Sequence, residues 1–224
     1  YKTGAGSLEL RDCRFERNGR RPEVCTLTGR GAYLTGGAGA TLLITNCVFN
    51  DNRILMGAAA CGVGGDTPYQ SGCGAYVTTF QRFDLVDTLF SSNGCPLTAA
   101  PGRGGTHGFA LAIDSAPVHA LRCDFIANVG SHYEASAGAI VCVYGASDGS
   151  SFTNCLWTGN FHNPYSRNGT RGGALEINMS SAAYTCSLGN CTIAYNLVDA
   201  ITCAAGLQVT KGTIDIGDSI IYGN

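Results

Sequence analysis

Charge is scarce in this sequence. Asp, Glu, Lys and Arg together make up 13% of the 224 residues, about half the usual share. Lysine occurs only at Lys2 and Lys211, and the net charge is −2. Arg17, Arg20 and Arg21 form a short cluster, but no basic stripe runs along the chain. A nucleic-acid partner, whose phosphates call for a positive face, is therefore not expected. No apolar run is long enough for a membrane-spanning helix, so no membrane span is expected in this chain. No Cys-x-x-Cys pair occurs among the 12 cysteines. That spacing gives no zinc site, and neither a metal nor a cofactor is expected. No leader is visible, since Tyr1-Lys2-Thr3-Gly4 opens directly on folded-looking sequence; the chain reads as a mature form or as a piece of something longer.

What the sequence does have is glycine, 32 residues, about twice the ordinary share, with an ordinary hydrophobic content of 45%. Few charges and a normal apolar fraction exclude disorder, which needs the reverse. Many glycines suit closely stacked backbone. The cysteine count points to an oxidising, extracellular or cell-surface setting.

One segment recurs seven times. Its first copy is Leu8-Glu9-Leu10-Arg11-Asp12-Cys13-Arg14-Phe15-Glu16-Arg17-Asn18, and its second is Leu42-Leu43-Ile44-Thr45-Asn46-Cys47-Val48-Phe49-Asn50-Asp51-Asn52. The copies end at Asn18, Asn52, Asn93, Asn128, Asn160, Asn196 and Asn224, at intervals of 34, 41, 35, 32, 36 and 28 residues. A period of this size is the mark of a solenoid. Within each copy apolar residues alternate with period two, so the segment is strand. Asp12, Asn46, Asp87, Asn154, Asn190 and Asp218 stand where the chain must bend, and such side chains tolerate the left-handed conformation. A small residue follows each bend: Cys13, Cys47, Thr88, Cys123, Cys155, Cys191, Ser219. Two positions on comes a large apolar one: Phe15, Phe49, Phe90, Phe125, Trp157, Ile193, Ile221. A second motif of the form Gly-Ala-large opens another strand, as at Gly31-Ala32-Tyr33, Gly74-Ala75-Tyr76 and Gly172-Gly173-Ala174-Leu175. Whether Tyr33 and Tyr76 or their neighbours Leu34 and Val77 face inward stays open. The expected fold is all-β: a right-handed parallel β-helix of about seven coils, spanning residues 1–224 as a single domain.

The two motifs resemble the repeats of polymorphic outer membrane proteins, Phe-x-x-Asn and Gly-Gly-Ala-(Ile/Leu/Val). Phe15 to Asn18, Phe49 to Asn52, Phe90 to Asn93 and Phe125 to Asn128 carry the first. Trp157, Ile193 and Ile221 depart from it by replacing the aromatic. Gly172 to Leu175 carries the second in full. The resemblance implies a surface-exposed β-helix of the pectin-lyase-like superfamily, of the kind found in adhesins and autotransporter passengers.

The asparagine column reads as a structural ladder that satisfies buried polar groups across coils, and the aromatic column as core packing. Cys13, Cys47, Cys123, Cys155 and Cys191 read as buried fillers. Cys25, Cys61, Cys73, Cys95 and Cys203 fall between the repeats and are the disulfide candidates, their pairing unspecified. Three sequons, at Asn168, Asn178 and Asn190, are expected to be exposed, with Asn178 or Asn168 favoured to carry a glycan. Outward Leu43, Val48, Val86 and Leu89 are expected to form an apolar patch that a loop, glycan or partner covers.

A catalytic centre would need convergent carboxylates. The best cluster is Asp84, Asp87, His119, Arg122 and Asp124, in which register sets Asp84 beside His119 and Asp87 beside Arg122. Its plainer reading is cross-strand charge pairing. The expectation is a structural or adhesive extracellular protein with no catalytic centre. The alternative is a polysaccharide lyase or glycoside hydrolase working on the Asp84–Asp124 face. Uncapped edges suggest head-to-tail self-association or flanking β-helix sequence.

Overall fold

The computed structural model describes residues 6–19, 27–28, 31–53, 70–94, 106–132, 140–146, 148–164, 173–199 and 204–224. Every strand pairing among them is parallel, and strands adjacent in a sheet come from successive repeats, the arrangement of a β-solenoid. The first sheet holds seven strands: Ser7–Arg11, Thr41–Thr45, Arg82–Val86, Val118–Leu121, Ser150–Thr153, Thr185–Gly189 and Thr213–Gly217. The second also holds seven: Arg14–Glu16, Val48–Asn50, Leu89–Ser91, Asp124–Ile126, Leu156–Thr158, Thr192–Ala194 and Ile220–Tyr222. The third holds six: Ala32–Thr35, Ala75–Thr78, Leu111–Asp114, Val141–Tyr144, Leu175–Asn178 and Leu207–Lys211. Two three-stranded sheets complete the described strands, one of Leu27–Thr28, Gln70–Ser71 and Thr106–His107, the other of Val129–His132, Phe161–Pro164 and Leu197–Val198.

The apolar alternation becomes columns inside the coil. Leu8, Leu42, Phe83 and Val118 lie in register, and Ser150, Cys186 and Ile214 continue the column. Phe15, Phe49, Phe90, Phe125 and Trp157 stack ring on ring, with centroids 4.7, 4.6, 5.2 and 5.2 Å apart. That spacing is the inter-strand distance, so the backbone sets it and the rings fill it. One buried cluster joins these columns to the inward residues of the third sheet. There the open choice is settled: Leu34 and Val77 are buried, while Tyr33 and Tyr76 face outward and stack on each other at 5.4 Å.

Each bend between the first and second sheets is a single residue with positive φ: Asp12, Asn46, Asp87, Arg122, Asn154, Asn190 and Asp218, between 48° and 54°. Arg122 shows that the bend does not require Asp or Asn. The next bend, after the second sheet, uses Arg17, Asp51, Ser92, Ala127 and Tyr195 in the same left-handed region, which, Asp51 apart, the residue types do not advertise. The following asparagine carries that cost. Asn93 Nδ2 donates to the Phe49 carbonyl at 2.8 Å and to Asn128 Oδ1 at 3.1 Å, and the Asn93 backbone N–H donates to the same Oδ1 at 3.0 Å. The pattern repeats from Asn18 through Asn224.

The small residues after the first bend also form a hydrogen-bonded column. Cys123 Sγ donates to the carbonyls of Leu121 and Leu85, at 3.3 and 3.4 Å, and Thr88 Oγ1 donates to the Val86 carbonyl at 2.8 Å. Ser219 Oγ bonds the Gly217 carbonyl at 2.8 Å and accepts from the Cys191 N–H at 3.0 Å. Thiol and hydroxyl interchange here because both are short donors, so the column is more than a row of apolar fillers. The Gly-Ala motif has a steric cause: a Cβ on Gly31 would sit 2.2 Å from the Gly74 carbonyl oxygen, and one on Gly74 2.3 Å from that of Ala110.

Candidate functional site

The first candidate face lies on the outer side of the first two sheets. Register sets His119 beside Asp84, but the two do not pair. Asp84 is held by Arg82 on its own strand, with Nε at 2.7 Å, and His119 Nδ1 lies 3.2 Å from Ser151 Oγ. Arg122 grips Asp87 in a two-pronged contact of 2.6 and 2.8 Å. Its hydrogen bonds hold the Asp87 carboxyl below the ordinary value. Asp124 is different. It sits in register between Leu89 and Leu156, and burial pushes its carboxyl up. Asp87 is therefore fixed as a charged partner of arginine, the wrong state for proton donation, while the Asp84 carboxylate is occupied by Arg82. Among the described residues no group of three or more His, Cys, Asp or Glu is placed to hold a metal ion.

The proposed apolar patch is interrupted. Val48 and Leu89 are neighbours, but Leu43 lies beside Asp84 and Val86 beside Thr45, and all four are half-buried.

The second candidate face was not legible as a site. It is the outward side of the third sheet, where solvent exposure is the default for alternate residues, yet Ala112, Cys142 and Glu176 are buried there. Glu176 is 0% exposed. Thr210 Oγ1 donates to its Oε1 at 3.2 Å, and Cys142 Sγ lies 4.0 Å from its Oε2. On the same side Tyr76 donates its hydroxyl to Asp114 Oδ2 at 3.1 Å, and Ser115 Oγ donates to Asp114 Oδ1 at 2.9 Å. Burial, and then the Asp114 charge, push the Tyr76 phenol up to about 12. The only sequence signal was the run of small outward residues, Ala112 and Cys142, which is too common to single out.

Of the sequons, Asn190 is exposed at its bend and bonds Asn154 through its amide. Asn178 stands in the outward phase of its strand but is only 7% exposed, contrary to the exposed, glycan-accepting place expected for it. The reason is that the whole strand Leu175–Asn178 is buried on both sides. Asn168 lies outside the described residues. So do Cys25, Cys61, Cys95 and Cys203. Cys73, the remaining disulfide candidate, lies in the bend between Gln70–Ser71 and Ala75–Thr78 as expected, but it is buried there, and its carbonyl accepts the Gly31 N–H at 2.9 Å. No disulfide joins any two of the described cysteines. No helix among the described residues is long and apolar enough to cross a membrane.

These features define a parallel β-solenoid protein. No family model, no curated protein and no solved structure matches the chain.

Proposed function

We propose that this chain is a structural or adhesive solenoid of an extracellular surface, related in design to the polymorphic outer membrane protein repeats it resembles. The observation that carries the reading is the asparagine ladder, which runs without interruption from Asn18 to Asn224. Such a ladder invests every coil in axial cohesion, as a rod or scaffold requires. The cysteines add less to the extracellular reading than their number suggests. Cys47, Cys123, Cys155 and Cys191 are buried hydrogen-bond donors of the coil, a role independent of redox compartment. Labelling of intact source cells with a membrane-impermeant amine or carboxyl reagent tests the location. Recovery of the chain in the labelled surface fraction is expected, and recovery only from the unlabelled cell interior overturns the reading.

A second reading, a carbohydrate-active enzyme, has one observation in its favour: the raised carboxyl of Asp124, the state a general acid needs. Release of reducing ends from a polysaccharide panel, abolished by Asp124→Asn with the fold intact, would establish it.

A further inference from the structure

The outward side of the third sheet brings together a lysine, an asparagine and a buried glutamate. Leu175, Glu176 and Ile177 pair with Leu207, Gln208 and Val209, but the next pair is Asn178 with Lys211, because a bulge displaces Thr210 from the register. Bulges re-aim side chains. Without this one, Thr210 would oppose Asn178; with it, one of the two lysines in the sequence does. Lys211 Nζ donates to the carbonyl of Ser180, two residues past Asn178 on the facing segment. The amine therefore lies on the segment that follows the asparagine with which Lys211 is paired. The Asn178 side chain makes no hydrogen bond among the described residues, although the residue is buried. Glu176 shares the outward side of its strand with Asn178, as alternate strand residues do. Its carboxylate is tied to the lysine-bearing segment by the Thr210 hydroxyl at 3.2 Å.

We propose that Lys211 and Asn178 form an intramolecular isopeptide bond, assisted by Glu176. Lysine amines are competent nucleophiles once deprotonated, and a carboxylate shielded from water is a suitable proton carrier. The Lys211 ammonium gives one proton to the Glu176 carboxylate. The neutral Nζ adds to Asn178 Cγ, forming the Nζ–Cγ bond, and the second Nζ proton passes to Nδ2. The Cγ–Nδ2 bond breaks, and ammonia leaves, taking up the proton held by Glu176 to depart as ammonium. The product is a secondary amide between neighbouring coils, Glu176 is regenerated, and neither oxidant nor reductant is consumed. The linkage joins the last two strands of the third sheet covalently. It is also exclusive of a glycan on the Asn178 sequon, because the amide nitrogen that would carry the sugar is lost.

The test is a peptide map of the reduced, alkylated chain. Trypsin cuts after Arg171 and Lys211, so an unlinked chain yields a peptide from Gly172 to Lys211. An acylated Lys211 is not cut. The expected result is one peptide running from Gly172 past Lys211, lighter by one ammonia, whose fragments stay joined between Asn178 and Lys211. Glu176→Gln should restore full mass and cleavage after Lys211, with circular dichroism unchanged. Complete cleavage of the wild-type chain after Lys211 at full mass overturns the proposal. So does ammonia loss at Asn178 that persists in Lys211→Arg, which marks closure of the asparagine onto its own backbone.

Discussion

The corner between the first and second sheets and the outer face of the third sheet obey different rules. At the corner every coil repeats one solution: a left-handed residue, a short donor, an aromatic or large aliphatic side chain, and three residues later an asparagine. The third sheet repeats only its inward residues. Its outward positions run Tyr33, Tyr76, Ala112, Cys142, Glu176 and Gln208. A corner must be rebuilt identically in each coil because its buried polar groups bond the coils on either side. A flat strand satisfies its backbone through the ladder of parallel bonds whatever its outward side chain, so that side is left to vary.

This contrast can be broken by substitution. The largest effect is expected at the aromatic column. Phe90→Ala should cost about 3–5 kcal/mol through cavity formation, read from urea unfolding. Tyr33→Ala, on the outward stack of the third sheet, should cost roughly 0.5–1.5 kcal/mol, the value of an aromatic pair. Equal losses would mean that the outward stack is as structural as the inward one. Next comes Asn93→Ala. It leaves the Phe49 carbonyl and the Asn52 N–H without their partners, and should cost roughly 2–4 kcal/mol, about 1–2 kcal/mol for each orphaned group.

The thiol column sharpens the comparison further. Cys123→Thr keeps a short donor, as Thr88 does on the preceding coil, whereas Cys123→Val removes it at nearly constant shape. Valine should be the less stable by about 1 kcal/mol, and equal stabilities would restore the column to apolar filler.

Buried thiols of the coil also set a pH limit. Cys186 is pushed up to about 12 by burial, and Cys155 to about 12 chiefly by its hydrogen bond with Cys123. In the unfolded chain these groups ionise near 9.0, so above that pH the unfolded state binds fewer protons and stability falls. Midpoints should hold steady below that value and drop above it. Alanine at both positions should lessen the decline, the remainder coming from Cys191 and Cys47, which are also raised. The smallest effect is expected on the candidate charged face. Asp87→Asn and Arg122→Gln remove an exposed pair and should leave the unfolding midpoint within measurement error, since solvent screens such pairs.

Much of the fold was legible because its signals are local and repeated. Leu42 with Ile44 gives the period-two strand, Asn46 gives the bend, and Phe49 with Asn52 gives the corner; each recurs in phase. The bends at Arg17, Ala127 and Tyr195 were not legible, since none of these residues favours the left-handed region. They adopt it because Asn18, Asn128 and Asn196 beside them lock the ladder. The charged face was legible as register but not as chemistry. Adjacency of Asp84 and His119 followed from alignment of the repeats, yet Arg82 on the same strand claims the carboxylate.

By itself, the sequence determined the solenoid, its inward columns and its asparagine ladder, because a repeat of this length can bury its apolar residues only by stacking. Tertiary structure alone decided three things: that Tyr33 and Tyr76 turn outward, that Asn178 is buried rather than displayed, and that Glu176 lies in an outward position out of reach of water. Outward side chains carry no periodic constraint. At Asn178 the facing residue depends further on a register shift of one residue, which sets Lys211 opposite it and which no local pattern encodes.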